Sequence, residues 1–208
     1  MNLKYKIYAF FSIKKSISNI KNKIIAKDKD HLKEIVKKEI KKNGLNCDLN
    51  HIDVSSVKDM SNLFYCSQFN GDISGWDTSN VENMETMFSI SLFNGDISGW
   101  NTSKVIQMRY MFEKSAFDGD ISRWDVSKVQ DMRFMFAHSR FKQDISMWCP
   151  VNIAEIERVF VRSIVPIPYW GKIVDKQERH RAIEVYQCKK ELEKNIDNNL
   201  LRKKSFKV

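Results

Sequence analysis

The sequence predicts an α/β solenoid of five 24-residue coils, each a short parallel strand, a turn and a short helix, closed by a capping helix at either end. Three observations predict it. One pattern is written three times without insertion: FNGDISGWDTSNVENMETMF from Phe69, FNGDISGWNTSKVIQMRYMF from Phe93 and FDGDISRWDVSKVQDMRFMF from Phe117. The apolar positions of that pattern extend one period outward on each side, to units starting at Leu45 and Phe141. The flanks of the array carry helical periodicity with cap residues at the expected ends.

The apolar columns say which positions face inward. Leu45, Phe69, Phe93, Phe117 and Phe141 form the first, and Leu49, Ile73, Ile97, Ile121 and Ile145 the second. Ile52, Trp76, Trp100, Trp124 and Trp148 follow, then Val57, Val81, Val105, Val129 and Ile153. Met60, Met84, Met108, Met132 and Ile156 come next, and each unit closes on an apolar pair such as Met87-Phe88. The array therefore spans residues 45–164, with repeats starting at 45, 69, 93, 117 and 141.

Within one unit, Val81, Met84, Met87 and Phe88 fall at helical spacing, and Asp77, Thr78 or Ser79 can cap a short helix there. Gly71-Asp72-Ile73-Ser74 reads as a strand of about three residues with one inward aliphatic. Strands stacked about 4.8 Å apart make a rod roughly 20–25 Å long. No coil can bury its apolar face alone, so both ends need caps.

Leu32, Ile35, Val36 and Ile40 line one face of a helix expected over about 30–43, with Asp28 or Asp30 as N-cap and Gly44 just beyond its end. After Phe160 the pattern decays into Val165-Pro166-Ile167-Pro168-Tyr169-Trp170-Gly171, a linker whose Ile167, Tyr169 and Trp170 can cover the last coil. Asp175 with Glu178 resembles a capping box. Ala182, Val185, Tyr186, Leu192, Ile196 and Leu200 then recur at near-helical spacing, so a helix is expected over about 175–198 with a frayed basic tail after it. The chain thus divides into a basic segment (1–29), a capping helix (30–44), the array (45–164) and a C-terminal linker, helix and tail (165–208).

The formal charge of +9 is unevenly spread. Residues 1–44 carry 13 Lys/Arg against 4 Asp/Glu, residues 45–164 carry 11 against 16, and residues 165–208 carry 11 against 6. Any attraction to nucleic acid or anionic lipid would sit at the flanks. Met1 to Lys6 resembles a positive leader, but the apolar run Ile7–Ile13 is short, is followed by Lys14-Lys15 and leads to no small-x-small cleavage site. No convincing export signal is read, and the compartment is left open between cytoplasm and cell surface.

Cys47, Cys66, Cys149 and Cys188 occupy different columns with no Cys-x-x-Cys spacing, which predicts reduced, mostly buried thiols rather than a metal or disulfide framework. His31, His51, His138 and His180 are scattered one per region. Asp48, Asp72, Asp96, Asp120 and Asp144 stack one per coil beside Asn46, Asn70, Asn94 and Asp118, an array of hard oxygens that could hold calcium. The spacing is not that of the nonapeptide calcium repeats, so the ladder reads as structural turns. The hydroxyls and carboxylates have no His partner at matching positions, so no catalytic residue is assigned and the chain is read as a non-enzyme without cofactor or metal. The tryptophan column could stack sugars or bases, but Ile52 at the equivalent place marks it as core.

At these residues the repeat resembles the unit of the BspA-type leucine-rich-repeat surface proteins and the related mycoplasma repeat proteins of unknown function. The resemblance covers residues 45–148 closely and implies a leucine-rich-repeat-like fold, often on bacterial surfaces, with adhesion to host or matrix proteins suggested for some members. It carries no catalytic residues.

The function expected is a monomeric binding module for a protein partner, in protein–protein interaction or surface adhesion. The alternative is an intracellular protein attached to nucleic acid or anionic membrane through its basic flanks. The binding face is placed on the strand side, at Ser74, Ser98, Ser122 and Ser146, with Gly75, Gly99, Arg123 and Met147 giving it character.

Overall fold

In the computed structural model of the 208-residue chain, the residues described are 23–153, 155–164 and 167–205. The basic segment of residues 1–22 lies outside them, and with it the question of a leader. In chain order the regular elements are β1 (Ile24–Ile25), α1 (Lys29–Asn43), β2 (Ile52–Asp53), two 3₁₀ segments (Ile156–Arg158 and Tyr169–Lys172) and α2 (Lys176–Ser205).

Asp28 caps α1, its carboxylate accepting from the His31 N–H at 2.9 Å. Gly44 ends the helix at φ 89°, and its N–H reaches the Ile40 carbonyl. Leu32, Ile35 and Val36 are buried by the first unit. The Lys29 ammonium joins the helix to that unit, donating to the Ser61 hydroxyl at 2.5 Å and pairing with Asp59 at 3.5 Å. Upstream, β1 lies parallel to β2, with Ile24 opposite Ile52.

Between Leu45 and Ile164 the hydrogen bonds follow the period of the sequence. The N–H groups of Met60, Asn62, Phe64 and Cys66 donate to the carbonyls of Asn83, Glu85, Met87 and Ser89. Those of Met84, Thr86, Phe88 and Ile90 donate in turn to Gln107, Arg109, Met111 and Glu113, and the next unit repeats the scheme. Isolated parallel bridges join Asp59, Asn83, Gln107 and Asp131 in one line.

The local conformation differs from the strand and helix expected in each unit. At Asp72 there is one bridge, to Asp48, and no strand. From Met84 to Ser91 the chain makes overlapping turns, closed by Met87 N–H to Met84, Ser89 N–H to Thr86 and Ser91 N–H to Phe88. A helix is impossible there for two reasons. Alternate N–H groups are committed to the next unit rather than to a carbonyl four residues back. Every fourth residue also has positive φ: Asn62 and Cys66, Thr86 and Ile90, Tyr110 and Lys114, Phe134 and His138 lie between 51° and 60°.

The core is a set of stacked columns. Phe64, Phe88, Phe112, Phe136 and Phe160 form one, with centroids 5.5–5.9 Å apart. Phe69, Phe93, Phe117 and Phe141 form a second, 6.2–6.3 Å apart. The tryptophans form a third, each indole N–H donating to a carbonyl of the unit before: Trp76 to Leu49, Trp100 to Ile73, Trp124 to Ile97 and Trp148 to Ile121. Trp170 takes the next place, stacked 6.5 Å from Trp148 and donating to Ile145. The tryptophans are thus buried core, not a stacking platform. Leu45, assigned to the first inward column, is instead 42% exposed, because the chain has only just left α1 there.

At the C-terminal end α2 covers the last unit with Arg179 and Ile183, both fully buried, and Tyr186 stacks on Tyr169 at 4.3 Å. The Arg179 guanidinium donates to the carbonyls of Ile153, Ile173 and Val174. The apolar stripe expected to pack is open instead: Val185 is 69% and Leu192 63% exposed, and Ile167 in the linker is also exposed. No helix among the described residues is long and apolar enough to cross a membrane.

Candidate binding surfaces on the stacked units

The aspartate ladder is made of turns. The carboxylates of Asp48, Asp72, Asp96, Asp120 and Asp144 accept the N–H two residues on, at Asn50, Ser74, Ser98, Ser122 and Ser146, over 2.7–2.9 Å. This is the Asx-turn, in which a short side chain replaces a backbone carbonyl at a corner. The backbone N–H of Ser74, Ser98 and Ser122 holds Asp72, Asp96 and Asp120 below the ordinary carboxylate range. Asp144 is lowered likewise, first by the Ser146 hydroxyl. The neighbouring column bridges units: Asn94 N–H donates to the Asn70 side chain, Asp118 N–H to Asn94 and Lys142 N–H to Asp118.

Asp77, read as a helix cap, builds a second corner by accepting the Ser79 N–H, and Asn101 and Asp125 do the same for Ser103 and Ser127. Thr78 and Thr102 turn their hydroxyls to the carbonyls of Asn101 and Asp125 in the next unit. A further column escaped the sequence reading. The hydroxyls of Ser67, Ser91, Ser115 and Ser139 accept the N–H of Phe69, Phe93, Phe117 and Phe141. Its signal is a Ser-x-Phe motif repeated at the start of the second to fifth units. Among the described residues no three His, Cys, Asp or Glu come together as a metal site.

The residues assigned to the binding face follow the aspartate corner of each unit. Ser74, Arg123 and Met147 are exposed, while Ser98, Ser122 and Ser146 are half-buried. They flank turns, not strands, and the serine N–H groups are spent on the aspartates. Beside Ser74 a shallow hollow of about 370 Å³ is lined by Asn46, Asn70, Gly71, Asp72, Gly95 and Asp96. A Cβ on Gly71 would sit 2.0 Å from the Cys47 carbonyl oxygen, so this glycine is required by close backbone approach.

A different edge carries more chemistry. On the third and fourth units Tyr110 and Phe134 stack at 5.1 Å with rings 6° from parallel. The Arg109 guanidinium packs 4.8 Å from the Tyr110 centroid and donates to its hydroxyl at 3.3 Å. Arg133 grips the Asp131 carboxylate through Nε and a terminal nitrogen, at 2.6 Å for the shorter contact. Burial pushes Asp131 up, but the bonds and charge of Arg133 outweigh it and leave the carboxyl lowered. A hollow of about 210 Å³ adjoins this pair, lined by Gln130, Asp131, Arg133, Ile153 and Glu155. The sequence reading missed this edge because the pairs between the methionines were taken as outward helix positions. Their variation from unit to unit was the signal: Ser61-Asn62, Glu85-Thr86, Arg109-Tyr110, Arg133-Phe134.

A hollow of about 620 Å³ lies where α2 meets the last unit, between Val151, Asn152, Lys176, Gln177, His180 and Arg181. Cysteine exposure corrects the sequence reading. Cys66 and Cys188 are exposed, while Cys47 and Cys149 are half-buried thiols pushed up by burial. Of the histidines, His51 lies 3.5 Å from Glu39, whose carboxylate also accepts from Asn43, and His180 lies 3.3 Å from Glu184.

No curated protein and no solved structure matches the chain. One family does, over residues 30–148 and again over 90–165, the span of the capping helix and the stacked units. The chain therefore belongs to the family described as mycoplasma protein of unknown function, DUF285.

Proposed function

We propose that the chain is a non-enzymatic binding module for another protein, built on a leucine-rich-repeat-like solenoid of the BspA type and suited to protein–protein interaction or surface adhesion. The observation that carries this reading is the division of labour within each unit. Inward and corner positions recur, while outward ones change from unit to unit, as at Gly75, Gly99, Arg123 and Met147. A fixed frame with a variable face is how stacked-repeat proteins build extended recognition surfaces. The carboxylates and hydroxyls that catalysis would need are engaged in corners.

The test is to probe an array of extracellular and cytoplasmic proteins with the full chain, beside a chain carrying Arg123→Ala and Met147→Ala. Retention of a protein at physiological salt by the native chain supports the reading. Retention of none, on an array where a known repeat binder scores, overturns it.

The charge distribution favours a second reading, attachment to nucleic acid or anionic membrane through the basic flanks. It requires binding to phosphatidylserine vesicles or duplex DNA that falls steeply with salt. Equal binding at low and high salt contradicts it.

A further inference from the structure

We propose that the edge formed by Arg109, Tyr110 and Phe134 is the docking site for an acidic, extended segment of a partner protein. This rests on the protein-binding reading above and names the partner's chemistry.

Tyr110 and Phe134 sit at φ 56° and 60°, in the left-handed region that the frame uses at this position in the first four units and that favours glycine or asparagine. The first two units place Asn62 and Thr86 there, so the frame does not need an aromatic ring. Both rings remain half-buried at the surface rather than joining the core.

The second argument is charge. The units before place Ser61 and Glu85 where the third and fourth place Arg109 and Arg133. Arg133 is neutralised by Asp131. Arg109 feels the same Asp131 charge only at longer range: among the described residues no carboxylate lies within ion-pair distance of it, and its buried Nε has no hydrogen-bond partner. Further along the same two units Lys114, His138 and Arg140 are exposed, with Lys114 paired to Glu113 at 3.5 Å. One terminal nitrogen of Arg109 is spent on the Tyr110 hydroxyl and its Nε is buried, so the other terminal nitrogen is what it offers a carboxylate, beside aromatic ring edges that carry the positive end of their quadrupole.

The third argument selects protein over single-stranded nucleic acid. Base recognition on aromatics needs an open ring face. Here the surface of Tyr110 is taken by Phe134 and by the Arg109 guanidinium. Tyr110 therefore offers no open face to a base, and Tyr, Arg and Phe are residues of the kind that anchor protein interfaces.

The test uses the full chain and a fluorescent peptide of alternating Glu and Leu, read by anisotropy beside the same peptide with Lys for Glu and beside oligothymidylate. Arg109→Glu and Tyr110→Thr install the residues the second unit already carries, so the fold is expected to persist, checked by the denaturation midpoint. The acidic peptide alone is expected to bind, each substitution to weaken it about tenfold, and Lys128→Ala, the loss of an exposed cation the site does not use, to leave it unchanged. Preference for oligothymidylate or the lysine peptide, absence of peptide binding, or insensitivity to Arg109→Glu overturns the site. If Arg123→Ala and Met147→Ala weaken the peptide and Arg109→Glu does not, this site falls while the protein-binding reading stands.

Discussion

The indole N–H of Trp100 donates to the carbonyl oxygen of Ile73 at 3.2 Å, across the boundary between two units and inside the core. Trp76, Trp124, Trp148 and Trp170 repeat the contact, so one type of bond ties each layer to the one before. Trp100→Phe keeps most of the ring volume but removes one of the two bonds that the Ile73 carbonyl accepts, the other coming from the Trp76 N–H. The expected cost is about 0.5–1.5 kcal/mol, read as a lower denaturant midpoint at unchanged slope. An unshifted midpoint would mean that the indole bond does not help to tie the layers.

The Ser-x-Phe column makes a parallel prediction. Ser115 is buried, and its hydroxyl accepts the Phe117 N–H at 3.2 Å. Ser115→Ala strands that N–H and should cost about 1–3 kcal/mol, whereas Ser127→Ala, at an exposed corner where the N–H is the donor, should stay within about 0.5 kcal/mol. Urea denaturation of the two variants distinguishes them.

Much of this frame was legible in the sequence, and the parts that were not share a cause. The columns follow from counting, because Phe, Ile, Trp, Val and Met recur at a fixed period whatever the local backbone does. The capping helix followed from Asp28, the Leu32-Ile35-Val36 face and Gly44. The coil interior was misread because Val81, Met84 and Met87 lie three residues apart, a spacing that serves a helix face and also a chain of turns each closed three residues back. Nothing in residues such as Thr86 or Phe134 announces positive φ, since their types argue against it. The exposure of Val185 and Leu192 was hidden for another reason: α2 packs through Arg179, Ile183 and Tyr186, one face that takes only Tyr186 from the stripe the periodicity picked out and leaves Val185 and Leu192 open.

Positive φ gives a prediction in the opposite direction. Lys114 is exposed at φ 51°, and its pair with Glu113 is a surface contact worth little. Lys114→Gly removes the left-handed strain at the cost of a more flexible unfolded chain. A net gain of about 0.5–1 kcal/mol is expected in the denaturation midpoint. A loss of stability would mean that the side chain contributes more than its exposure indicates.

The aspartate corners predict an acid limb. Asp72, Asp96, Asp120 and Asp144 are lowered in the folded state relative to an unfolded value of about 4. Their stabilisation is therefore fully present above that value and is lost as pH falls through the lower folded ones. Melting temperature should be flat from neutrality down to about pH 5 and then drop. Asp96→Asn, which retains an oxygen acceptor for Ser98, should lessen the drop while leaving neutral stability nearly unchanged. An acid limb of the same depth in that variant would place the titrating groups elsewhere.

The most direct test of the account concerns the register itself, since every surface named above depends on residues 24 apart lying side by side. In a chain with Cys47, Cys66, Cys149 and Cys188 replaced by serine, Asn83→Cys and Gln107→Cys fall on positions joined by a parallel bridge, at a neighbour spacing of about 5 Å. A short bifunctional thiol reagent should link that pair rapidly within the folded monomer. It should fail with Asn83→Cys and Asp131→Cys, two units apart at about 10 Å. Linking of both pairs at equal rate, or of neither, would contradict the stacked register.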